Sequence, residues 1–132
     1  MNQIHATVKE IQSSDNITVV AFEAGALELR MMALGLNVPI KIGSRVTLGA
    51  KASSLSLAKN LSGMLSLSNQ LACKIESINK GTLLCSVKVR FNDSILESII
   101  TLSSALKMNL QVGESITALI KASELSIIKV ED

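Results

Sequence analysis

The sequence predicts an all-β chain of two tandem small barrels with short helical turns. Three observations carry that prediction: the chain repeats itself, its apolar residues alternate along short runs, and turn residues interrupt it at close intervals. Shifted by seventy positions, residues 43–59 (GSRVTLGAKASSLSLAK) fall on residues 113–129 (GESITALIKASELSIIK), with eight of seventeen letters identical and no gap. Composition alone would give roughly one or two matches. The openings agree as well, Asn2-Gln3-Ile4 falling on Asn69-Gln70-Leu71 at an offset of 67. The chain therefore reads as a first unit at 1–59, a polar connector at 60–66 and a second unit at 67–132.

Each unit reads as β. Leu83, Cys85, Val87, Val89 and Phe91 fall on one face of a run whose other face carries Ser86, Lys88 and Arg90. Ile116, Ala118, Ile120 and Ala122 form a second inward row, opposed by Ser115, Thr117, Leu119 and Lys121. Asn79-Lys80-Gly81 and Asn92-Asp93-Ser94 mark turns, and a turn is the plainer alternative for Asn69. Helical spacing is confined to residues 103–108 and, in the first unit, to about 30–36. Short strands in units of about 60 residues point to a small closed barrel of the OB type. So small a unit buries little of its surface, so pairing within the chain and between chains is expected.

Composition narrows the function. The chain has 132 residues, is 48% hydrophobic and has a mean hydropathy of +0.42, which a folded core satisfies and a disordered segment does not. Phe22 and Phe91 are the only aromatics, which argues against base stacking or a sugar platform. A net charge of +2 is too balanced for a protein held to nucleic acid by many phosphate contacts. No apolar run reaches the roughly 20 residues of a membrane span, and the N-terminus lacks the apolar stretch of a signal peptide. A cytoplasmic, membrane-free setting follows as the expectation. Cys73 and Cys85 are then thiols, unless they face each other across a hairpin, and with His5 they make no zinc pattern.

The repeated Lys-Ala-Ser is chemically suited to an anion. Lysine brings a point charge with three donors, serine a hydroxyl, and successive backbone amides a concave nest. Thr101, Ser103 and Ser104 add hydroxyls at the start of the short helix. No general base stands beside a nucleophile, so the pattern fits binding of a tetrahedral dianion better than catalysis. The same letters also suit a half-exposed strand edge and a capped turn.

Beyond this, the letters resemble a known family. Residues 112–123 (VGESITALIKAS) resemble the closing signature of the molbindin (Mop or TOBE) family. Residues 66–71 (SLSNQL) resemble its opening signature and residues 100–105 (ITLSSA) its middle one, all in the family's order. The resemblance implies OB-like barrels in a two-unit chain, not an enzyme, holding molybdate or tungstate between units of a homo-oligomer, with no organic cofactor. Carried over, the oxyanion contacts are Ser66, Thr101, Ser104, Lys121, Ala122 and Ser123, and in the first unit only Lys51, Ala52 and Ser53. Ser68 stands where the family has arginine, and Leu29 and Met32 where the first unit would need threonine and serine. One full class of site and one composite class are therefore expected. The implied role is storage, homeostasis or sensing of the ion. The alternative is a regulatory or oligomerisation module, related to the C-terminal domains of molybdate-responsive regulators or molybdate transporter ATPases and partnering such proteins.

Overall fold

Strand β1 (Asn2–Ser14) sets the plan of the molecule. Asn2, Ile4, Ala6 and Val8 point inward in strict alternation, and the pairing register then shifts between Val8 and Glu10. The extra residue bends the strand, so its first half pairs with β4 (Arg45–Ala50) and its second half with β2 (Ile17–Ala24). The second unit repeats the device in β6 (Asn69–Lys80), where Asn69, Leu71, Cys73 and Ile75 are buried and the register shifts between Ile75 and Ser77. The computed structural model describes residues 1–131.

The other strands are β3 (Leu27–Leu34), β5 (Leu55–Ala58), β7 (Leu84–Phe91), β8 (Ser94–Thr101), β9 (Ser115–Ile120) and β10 (Ser126–Val130). One helix, α1 (Leu102–Met108), follows β8, and single 3-10 turns at Ala52–Ser54 and Ala122–Glu124 precede β5 and β10. Two antiparallel five-stranded sheets form, in the orders β10-β4-β1-β2-β3 and β5-β9-β6-β7-β8. Each curls into an OB-like barrel around inward rows such as Cys85, Val87, Val89 and Phe91. The fifth strands are exchanged: β5 completes the second sheet on β9, and β10 completes the first on β4. One continuous apolar core, with Phe22, Leu29, Leu48, Leu71, Leu96 and Ile120 fully buried, runs through both. Exchange is a direct remedy for the small core of either unit.

Several local expectations need correction. Residues 30–36 are not helical; they lie mostly in β3, paired with β2 from Ile17↔Leu34 to Ala24↔Leu27. Only ten residues (35–44) separate β3 from β4, against thirteen (102–114) between β8 and β9. The short link holds Gly35 at φ 58° and Pro39, which leaves no room for a helix. Leu83 is exposed because it lies in the turn before β7, and Leu119 is buried because β9 is flanked by β5 and β6. Asn69 is no turn residue but the buried first residue of β6. The hairpin turns of the two units touch: Asn92 Nδ2 reaches Ala24 O at 3.5 Å, and a Cβ on Gly25 (φ 63°) would stand 2.9 Å from that nitrogen. Cys73 and Cys85 are free and buried, and burial pushes the Cys73 thiol up to about 11.

Candidate functional site

The repeated Lys-Ala-Ser-x-Leu has a clear local cause. Lys51 (φ −68°, ψ 145°) and Lys121 (φ −64°, ψ 143°) are extended residues leading from β4 and β9 into a 3-10 turn. The Ser54 amide donates to Lys51 O at 2.9 Å, and the Glu124 amide to Lys121 O at 2.8 Å. Ala52 and Ala122 are half-buried and Leu55 and Leu125 buried, so these letters seat the turn. Lys51, Ser53, Lys121 and Ser123 are exposed, so lysine and serine are the letters left for a ligand.

Strand exchange brings the two turns together. Ser54 Oγ donates to a Glu124 carboxylate oxygen at 3.2 Å. A cavity of about 200 Å³ is lined by Lys51 from the first turn and by Ser123, Glu124 and Ser126 from around the second. Each turn also packs on the third strand of the opposite barrel, Ala52–Ser54 on β8 and Ala122–Glu124 on β3. Ser98 Oγ of β8 donates to Leu55 O, which fixes the first of these contacts.

Thr101 ends β8 and caps α1. Its Oγ1 accepts the Ser104 amide at 3.1 Å and donates to Ser104 Oγ at 2.9 Å. Thr101 and Ser104 are thus brought together, and the Ala52–Ser54 turn that follows Lys51 packs on the strand that leads to them. The Ala122–Glu124 turn that follows Lys121 packs instead on β3. There the register makes Leu34, not Leu29 or Met32, the counterpart of Thr101, because Leu34 pairs with Ile17 as Thr101 pairs with Leu84. The surface beside Ser123 is correspondingly apolar, a groove of about 560 Å³ lined by Met31, Met32, Leu34 and Leu36. Ser66 is exposed in the connector ahead of β6. Glu124 is the one carboxylate lining the Lys51 cavity. Among the described residues no cluster of His, Cys, Asp or Glu could hold a metal ion. With only seven residues, α1 adds little macrodipole, so hydroxyls and lysines dominate the anion chemistry here.

Two kinds of supporting residue escaped sequence reasoning. Asn69 Oδ1 accepts the Arg30 amide at 2.7 Å, and its Nδ2 donates to Arg30 O at 2.8 Å and Ile120 O at 2.9 Å. Asn2 makes the reciprocal clamp on Glu97, accepting its amide at 2.7 Å and donating to its carbonyl at 2.8 Å. Lys59 Nζ donates to Met108 O at 2.9 Å and Asn109 O at 3.1 Å, and pairs with Glu114 at 3.1 Å. Both kinds carried a signal, since Asn2/Asn69 and Lys59/Lys129 are letters the repeat retains.

Comparison with known proteins agrees with this geometry. Residues 65–127 match the family model of the TOBE domain. Among solved structures, the chain resembles the cytoplasmic molybdate-binding protein ModG in a form with molybdate bound. That likeness has a TM-score of 0.88 at 21% identity and covers 96% of this chain and 94% of the other. A molybdate-binding protein from Sporomusa ovata matches at 30% identity over 51% of this chain and 100% of its own length, with a TM-score of 0.49. No curated protein matches the chain in sequence. The segment 65–127 is thus a TOBE domain, set in a chain whose exchanged pair of OB-like barrels is the fold of the ModG structure.

Proposed function

We propose that the chain binds molybdate or tungstate as a non-enzymatic cytoplasmic protein that stores, buffers or senses the ion. The observation that carries this reading is the meeting of the two Lys-Ala-Ser turns, which sets Lys51 and Ser123 around one cavity. Lysine charge, serine hydroxyls and turn amides are the donors a tetrahedral dianion needs. The name of the ModG structure, which has the same fold, supports the choice of ion.

In this reading the contacts are Lys51, Ala52 and Ser53 with Thr101 and Ser104 on one side, and Lys121, Ala122 and Ser123 with Ser66 on the other. A second copy of the chain completes the latter set, because Lys121-Ala122-Ser123 finds no hydroxyl pair on its own β3. The exposed apolar residues Leu34, Leu83 and Leu84 favour such association, since burying them removes apolar surface from water. The repeated segments 1–59 and 67–132 are the units from which the sites are assembled, each completed by the other's last strand.

Calorimetric titration with molybdate, tungstate and sulfate tests the reading. Molybdate and tungstate are expected to bind and sulfate, a smaller ion of equal charge, to bind far more weakly. Lys121→Ala should weaken binding about tenfold to a hundredfold, the range of one charge-assisted hydrogen bond, without unfolding the chain. No heat from either large oxyanion at micromolar protein would remove the proposal.

A further inference from the structure

We infer that Lys59 is a positioning residue of the oxyanion site, holding α1 so that Thr101 and Ser104 stand at a fixed place relative to the Lys51-Ala52-Ser53 turn. This rests on the oxyanion reading above. Residues 51–59 of the first unit bracket the second unit's helix. At one end the Ala52–Ser54 turn packs on β8 and Leu55 O accepts from Ser98. At the other, Lys59 Nζ holds Met108 O, Asn109 O and Glu114 behind the last turn of α1. The helix is only seven residues long, buries Ala105 as its one fully covered side chain, and is stopped by Asn109 at φ 49°. Its beginning is tied to the turn before β7 through the Leu102 amide and Leu83 O at 2.9 Å. So short a helix has little stability of its own, and anchoring at its ends decides how firmly Thr101 is held.

The repeat supplies an internal control. Lys129 is the counterpart of Lys59, but the first unit has no helix between β3 and β4. Lys129 is exposed in β10 and pairs in register with Thr47, with no helix end to hold. The same letter is thus a clamp where the hydroxyl-bearing helix exists and a surface lysine where it does not.

The test compares Lys59→Met, Lys59→Arg and Lys129→Met by molybdate titration and by amide hydrogen exchange at residues 105–108. Lys59→Met is expected to speed that exchange and weaken molybdate binding about tenfold, as loss of an outer supporting contact does in a metal site. Lys59→Arg should restore most of the affinity, and Lys129→Met should leave both readouts unchanged. Faster exchange in Lys59→Met with unaltered molybdate affinity would overturn the inference while leaving the oxyanion reading in place. An equal loss in Lys129→Met would overturn it too, as a general charge effect. Absence of molybdate binding by the unsubstituted chain would instead remove the oxyanion reading and this inference with it.

Discussion

An asparagine side chain donates and accepts at once, and Asn69 uses both functions on strands outside its own hairpin. Its three bonds reach the backbone of Arg30 in β3 and of Ile120 in β9, and it is 1% exposed. The Asn-Gln-aliphatic opening of each unit therefore serves the fold before it serves a ligand. Asn69→Ala leaves a buried amide and two carbonyls without their partner, a loss of about 3 kcal/mol in urea unfolding. Asn69→Asp should cost more, since a carboxylate cannot donate to the Arg30 and Ile120 carbonyls. Asn2, with two such bonds, should be the more tolerant of the pair. A stability loss at Asn69 no larger than at an exposed serine would contradict the clamp. A turn was the plainer alternative for Asn69 in sequence because asparagine favours turns locally, whereas its partner Arg30 lies 39 positions away.

At the scale of elements, β7, the inward row of β9 and α1 were legible because period and caps are local signals. Thr101 caps α1 and Asn109 stops it, as their chemistry allows. The first unit's counterpart at 30–36 is strand where helix was expected, because apolar spacing alone does not separate a short helix from a strand. A three-residue shortening with Gly35 and Pro39 decided for the strand. The loop behind α1 adds a pH dependence. Glu114 accepts the Gln111 amide at 2.8 Å and faces Lys59, and these hold its carboxyl below the ordinary range, the amide bond first. A depressed carboxyl contributes stability that is present above the unfolded value of about 4.3 and is lost as pH falls through the folded one. Protection of the amides at 105–111, taken relative to their intrinsic exchange at each pH, should therefore be unchanged from pH 7 to 5 and fall below about pH 4. Glu114→Gln should flatten that acid response, and a profile identical in the variant would assign the change to other groups.

For the whole molecule, the decisive feature is the one a linear reading hides. The sequence separates two units at the connector, and nothing local says that β5 and β10 cross to the opposite sheets. Exchange depends on contacts between residues about seventy positions apart, such as Ser54 with Glu124 and Ser126 with Gly49. It also changes the meaning of the repeat. Lys51-Ala52-Ser53 lies beside the helix that keeps the hydroxyls, and Lys121-Ala122-Ser123 beside the strand that lost them. The candidate residues were legible by chemistry and resemblance, but which of them share a site was not. A crystal of the chain grown with tungstate, measured at the tungsten edge for anomalous scattering, addresses this most directly. Anomalous peaks are expected against the Lys-Ala-Ser turns, with Thr101 and Ser104 or a second copy completing the shell. Ordered tungstate bound away from both turns, or none at saturating concentration, would contradict it.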